Sequence, residues 1–138
     1  MNWLIDTDVL IEGERGNPAF HPWFTGDERF ATCDIVRGEF LLGIHAVADA
    51  GLRERGERYY REVISQVTSL ANDPADYAKA ANLAGQARRS GKGTPNLADG
   101  LVAAIALRIG AKVATRNISH FKAMGCPCEN PLLAEKSH

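Results

Sequence analysis

The sequence predicts an α/β fold: a small, mainly parallel sheet with helices around it. Short apolar segments of strand character alternate with longer helical stretches, which is the pattern of α/β proteins. The 138 residues suit one hydrophobic core, and no Ser/Gly-rich linker, repeat or low-complexity tract divides them. Hydrophobic residues make up 45% of the chain and charged residues 24%, a globular composition and not a disordered one. A single domain over residues 1–138 is therefore expected.

The elements follow in order. Asn2 to Ile5 is a short apolar strand that halts at Asp6. Thr7, Asp8, Val9, Leu10 and Ile11 open a helix, with Asp6 as its cap and Asp8 in its positive first turn. Gly13, Gly16 and Pro18 break that helix before a segment carrying Phe20, Trp23 and Phe24, and Arg29 to Thr32 suits a second strand. Asp34 is expected to cap a helix running to about Ala50, with an apolar stripe of Ile35, Val36, Leu42 and Val47 widened by Phe40, Leu41 and Ile44. Residues 52–66 form a charge-laced helix and Val67 to Leu70 a strand. Asp73-Pro74 starts a helix that ends near Arg89, before Ser90-Gly91-Lys92-Gly93. Asn96 begins another, which Gly110 stops; Lys112 to Thr115 is a strand, and Asn117 to Met124 a short helix. The tail from Cys126 adds an edge strand whose pairing Pro127 and Pro131 limit.

Composition excludes several classes of function. Sixteen Lys and Arg against 17 Asp and Glu give a net charge of −1, so bulk positive charge cannot grip nucleic acid, although a local basic groove can. No apolar run approaches the roughly 18 residues that span a bilayer. MNWLIDTDVL lacks the basic region of a signal peptide. Cys33, Cys126 and Cys128 are too few for a disulfide framework, so a cytoplasmic location is expected. Cys126 and Cys128 have no second pair with which to bind zinc, and His21, His45 and His120 show no metal-ligand spacing; His120 is expected on a helix surface.

Three carboxylates stand where a core should be. Glu39 has Ile35, Val36, Leu42 and Gly43 as helical neighbours, and burying it unpaired costs roughly several kcal/mol. Either it reaches water or a distant Arg, or it ligates a metal; Arg37, two residues away, is poorly placed to pair with it. Asp99 is the third residue of a helix capped by Asn96, where an acid completes a capping arrangement, and the uninterrupted apolar run from Gly100 to Leu107 places it at a buried mouth. Asp6 closes a buried strand, and ligands of open α/β sheets bind beyond the carboxyl ends of strands. Brought together by the fold, these acids would repel one another unless a hard divalent cation neutralised them. Mg²⁺ or Mn²⁺, which favours oxygen ligands and retains waters, is that cation.

Four blocks of the chain match a known family in order and at fitting spacing. LIDTDVLI resembles the first acidic motif of PIN-domain ribonucleases, specifically the VapC-like toxins of bacterial toxin–antitoxin pairs. ATCDIVRGEFLLGI is similar to their second block, NLADGLVAAIALRIGAKVATRNISHF to their third and fourth joined, and CPCENPLL to their Asn-Pro tail. The resemblance implies a three-layer α/β/α fold and Mg²⁺- or Mn²⁺-dependent hydrolysis of RNA that leaves a 5′-phosphate and a 3′-hydroxyl. It also implies a restraining antitoxin and a homodimer. Asp6, Glu39 and Asp99 fall on the family's acidic triad as catalytic and metal-binding residues. Members often carry a fourth acid at the position of Asn117 or of His120; its absence here leaves one ion on Asp6 and Asp99 and the question of a second open, with Asn117 able to position a metal-bound water or a phosphate.

Thr115 is expected to orient the acids from its strand end, and Asp8 either to reach the site or to serve the helix start. The candidate RNA contacts are Arg88, Arg89, Lys92, Thr115 and Arg116; Arg88 and Arg89 would serve equally as a cationic helix C-terminus. Phe20, Trp23 and Phe24 are assigned to core or interface. Two competing readings remain. Asp6-Thr7-Asp8 also suits a haloacid-dehalogenase-type phosphatase, but Leu10 departs from that family's Thr or Val. A catalytically silent module that binds RNA or protein would explain the missing fourth acid.

Overall fold

Residues 2–26 and 28–133 are described by the structure, a computed structural model. Five strands, β1 (Trp3–Ile5), β2 (Phe30–Cys33), β3 (Thr68–Leu70), β4 (Lys112–Ala114) and β5 (Cys128–Glu129), form one sheet in the order β3-β2-β1-β4-β5. Every pairing is parallel, with Leu4 opposite Ala31 on one side and Val113 on the other. All three β1 side chains are buried, as a central strand covered on both faces requires. The chain runs outward from β1 through β2 to β3, then returns to place β4 on the opposite side of β1. The crevice between the carboxyl ends of β1 and β4 is therefore the switch point at which such sheets bind ligands.

Helices α1 (Thr7–Glu14), α2 (Phe20–Phe24), α3 (Asp34–His45), α4 (Ala50–Glu62), α5 (Pro74–Arg89), α6 (Leu97–Ile109) and α7 (Ile118–Ala123) fill the connections and flank the sheet in an α/β/α arrangement. Among the described residues, no helix is long and apolar enough to cross a membrane. Phe20 is fully buried, and Trp23 packs edge-on against Trp3 (5.3 Å) and Phe30 (4.8 Å), so the early aromatics belong to the core.

The middle of the chain departs from expectation. Cys33, not Asp34, occupies the N-cap of α3, without a side-chain cap; Asp34 is the first helical residue and accepts a hydrogen bond from the Ser69 hydroxyl at 2.7 Å. The helix stops at His45, well short of Ala50, because Asp49 caps a new helix by accepting from the Leu52 N–H at 2.9 Å. The charge-laced helix therefore starts at Ala50 and ends at Glu62, and a 3-10 turn (Ile64–Gln66) follows. Val36, Phe40 and Ile44 form the buried face, whereas Leu42 is 71% exposed. Leu42 is two residues from both Phe40 and Ile44, roughly 200° around the helix, so it cannot share their face. Arg37 donates to the carbonyls of Val67, Ser65 and Ile64 and pairs with no acid.

Helix α6 is tied to α5 by small residues. Ala80, Ala84 and Ala87 of α5 are buried, as are Ala103, Ala104 and Ala106 of α6. A Cβ on Gly100 would lie 2.6 Å from the Ala80 carbonyl oxygen, so the close approach depends on glycine. Gly110, at φ 70°, ends α6 in the left-handed conformation.

Gly100→Ala is expected to destabilise the protein by about 1–3 kcal/mol, since backbone must move to admit the methyl group. Gly85→Ala, where a Cβ meets nothing within 4 Å, should stabilise α5 by about 0.5–1 kcal/mol. Urea unfolding of both variants checks the pair.

Candidate functional site

Asp6 stands at the switch point for a backbone reason. Its N–H donates to the Ala114 carbonyl at 2.9 Å, extending the β1–β4 ladder by one bond, and its side chain turns to cap α1. One carboxylate oxygen accepts from the Thr7 N–H and the other from the Thr115 hydroxyl, each at 2.9 Å. Asp6 is 7% exposed and Thr115 fully buried. Burial pushes the Asp6 carboxyl up to about 7, with Asp8 and then Asp99 adding repulsion that the Thr7 and Thr115 hydrogen bonds offset only in part.

The other acids arrive from separate elements. Glu39, on α3, accepts from the Thr7 hydroxyl at 2.7 Å. Asp99, in the first turn of α6, exchanges hydrogen bonds with Asn96 in a capping box: its N–H donates to Asn96 at 2.8 Å, and its Oδ2 accepts the Asn96 N–H at 3.1 Å. The same Oδ2 lies 3.1 Å from Nδ1 of His120. Asn117 approaches that ring nitrogen at 2.7 Å and donates its N–H to the Thr115 hydroxyl oxygen at 2.9 Å. An unbroken chain of contacts thus joins Glu39, Thr7, Asp6, Thr115, Asn117, His120 and Asp99. The structure brings together all four residues read from the sequence as catalytic.

Asp8 braces the same corner. It accepts from the Arg116 N–H at 3.1 and 3.2 Å and from the Thr115 hydroxyl at 3.4 Å, tying the first turn of α1 to the exit of β4. Burial raises its carboxyl too, against the lowering effect of Arg116.

The expected basic contacts are less concentrated. Thr115 has no exposed surface to offer RNA; it holds Asp6 instead. The Arg116 guanidinium pairs with Glu12 at 3.0 Å, and Arg88 donates to the Pro95 carbonyl at 2.9 Å, fastening the loop that leads into α6. Arg89 and Lys92 are exposed. Two residues escaped their full reading from sequence. Thr7 was read only as part of a helix start, and His120 as a helix-surface residue. The signal for His120 was its spacing: three positions after Asn117, it shares the Asn117 side of α7.

Among the described residues, no three His, Cys, Asp or Glu side chains form a ready-made metal cage. The donor chemistry nevertheless fits a hard cation. Asp6 is a buried carboxylate beside two like charges, and no Lys or Arg side chain among the described residues bonds to it. Asp99 Oδ1 likewise has no hydrogen-bond partner among them. An ion such as Mg²⁺ is held by one or two carboxylates and keeps several waters, so it needs no third close ligand.

Comparison with known proteins agrees with this fold. The chain resembles the crystal structure of FitAcB from Neisseria gonorrhoeae at a TM-score of 0.82 and 25% identity, over 96% of this chain and 99% of that one. FitAB bound to a DNA fragment matches at 0.82 and 26%, over 99% of both chains. DNA-bound VapBC from Salmonella typhimurium shares the fold at 0.78 and 22%, over 94% of this chain and 97% of that one. No curated protein sequence matches significantly. The PIN-domain family model matches residues 3–125, a span that includes Asp6, Glu39, Asp99 and Asn117. Since that match covers well over half of the chain, the chain belongs to the PIN-domain family.

Proposed function

We propose that this chain is a metal-dependent endoribonuclease, the toxin of a toxin–antitoxin pair. The observation that carries this reading is the Asp6 carboxyl, buried at the β1–β4 switch point, raised to about 7, and joined through hydroxyl and imidazole contacts to Glu39 and Asp99. Buried, perturbed acids in a crevice mark functional sites more often than structural ones.

Asp6 and Asp99, with Glu39 beside them, would hold the cation, for which Mg²⁺ is the physiological choice and Mn²⁺ a substitute. When bound, the ion neutralises the scissile phosphate and favours ionisation of a water. Thr115 and the Thr7 N–H fix both oxygens of Asp6, and Asn117 steadies His120. Glu39, linked to Asp6 through the hydroxyl and the backbone N–H of Thr7, accepts the proton of the attacking water. Attack at phosphorus breaks the bond to the 3′-oxygen, leaving a 5′-phosphate and a 3′-hydroxyl. Arg116 and the exposed Arg89 and Lys92 contact backbone phosphates; Arg88 does so only with what its bond to Pro95 leaves free.

An active cytoplasmic ribonuclease needs restraint, and the likeness to FitAB supports an antitoxin partner; on this reading it is a small protein whose disordered tail lies over the acids. A homodimer is part of the same reading.

Induced expression of the wild type and Asp99→Asn in a bacterial host, with sequencing of new 5′-phosphate RNA ends, tests the nuclease. Growth arrest with discrete ends is expected for the wild type only, the variant losing at least about a hundredfold in activity. Unchanged RNA from folded wild-type protein would favour a silent binding module.

Asp6 gives a second test. Its folded pKa of about 7 lies above the ordinary carboxyl value, so the folded state holds the proton more tightly and stability falls as pH rises from about 4 through 7. Without divalent ions, Asp6→Asn should exceed the wild type in stability above pH 7 by on the order of 3 kcal/mol, the gap closing near pH 4. Thermal unfolding measures both, and Mg²⁺ should raise the melting temperature of the wild type alone.

A further inference from the structure

His120 does more than sit near the acids. Its Nδ1 lies 3.1 Å from Asp99 Oδ2, an oxygen that already accepts the Asn96 N–H at 3.1 Å. These two contacts saturate Oδ2 and leave Oδ1 as the oxygen of Asp99 without a partner among the described residues. The ring is held on its other side as well: a Cβ on Gly93 would lie 3.7 Å from its Cδ2, so the loop between α5 and α6 passes against it. That loop takes φ 154° at Gly93, a conformation that favours glycine.

We propose that His120 is a positioning residue of this site: its neutral ring adopts the Nδ1–H tautomer, donates to Asp99 Oδ2, and turns Oδ1 toward a divalent cation. This rests on the metal-dependent reading above. The alternative tautomer would accept from Asn117 Nδ2 at 2.7 Å but would point the same lone pair at a carboxylate oxygen 3.1 Å away, which is repulsive. A ring N–H resolves this and fixes the tautomer, as such partners do. Asn117 Nδ2 stands 2.7 Å from the same ring nitrogen, so the Nδ1–H tautomer also requires the Asn117 amide to turn over and present Oδ1 there, the two ends of an amide being nearly the same shape. A hydrogen-bond donor therefore stands where a further carboxylate would have been a further ligand, and the site keeps three charges for one ion.

Side-chain ¹⁵N NMR of the metal-free chain reads the tautomer directly. His120 should show protonated Nδ1, and Asp99→Ala should return it toward the Nε2–H form. An Nε2–H ring in the wild type would overturn the proposal. Calorimetry with Mn²⁺ then compares the wild type with His120→Ala, His120→Asn and His120→Gln, each first shown to be folded. The amide nitrogen of Asn falls near the place of Nδ1 and that of Gln near Nε2. Ala and Gln should weaken Mn²⁺ binding about tenfold while Asn stays close to wild type, a split that a merely structural role would not produce. Equal affinity in all four also overturns it. Absence of Mn²⁺ binding by the wild type counts against the metal reading, and the tautomer alone then judges His120.

Discussion

A carboxylate almost without access to water stands at the end of the central strand, and the surrounding structure is arranged around that burden. Asp6 keeps its place because each oxygen has one good donor, the Thr7 N–H and the Thr115 hydroxyl. Two neutral donors do not balance burial together with the fields of Asp8 and Asp99, which is why the carboxyl is held near 7. A purely structural helix cap has no need of such neighbours, since Ser or Asn caps as well without the charge. Under the metal-dependent reading proposed above, that cost is offset when a cation brings positive charge to the carboxylate.

Sheet order turns one such residue into a site. Because β4 pairs directly with β1, the residue after β4, Thr115, lies beside the residue after β1, although 109 positions separate Thr115 from Asp6 in sequence. The turn beyond Thr115 carries Asn117 and leads into α7, which delivers His120 to the first turn of α6. Asp8 closes the corner by accepting from the Arg116 backbone. Three crossovers thus end in one crevice without any long side-chain reach, so the site inherits the rigidity of the parallel ladder.

What could be read from the chain alone follows the same division. Strands, most helix ends and the placement of Asp6 and Asp99 were legible because they rest on local chemistry: an apolar run that stops, a Pro at the first helical position, an Asn three residues before an Asp. The boundary between α3 and α4 was not, because Asp49 recaps the chain inside what reads as one amphipathic stretch. Leu42 misled for a related reason: its hydrophobicity suggests burial, while its phase relative to Phe40 and Ile44 denies it. The roles of Thr7 and His120 depend on partners 32 and 21 residues away, and no local pattern encodes those contacts.

Two copies of one local motif within the chain show where that limit lies. Asp76 in α5 and Asp99 in α6 are both third helical residues completing a capping box, with Asp73 and Asn96 respectively. From sequence they are equivalent. In the fold, Asp76 meets the Arg108 guanidinium at 3.0 Å; burial works to raise its carboxyl, but the Asp73 N–H and Arg108 outweigh that and hold it below its ordinary value. Asp99 meets instead an imidazole held by Asn117, and the field of its carboxylate reaches Asp6. The first acid is neutralised within the protein and acts as a clasp between α5 and α6. The second is left with an open oxygen beside another acid, a difference made by the tertiary partner and not by the motif.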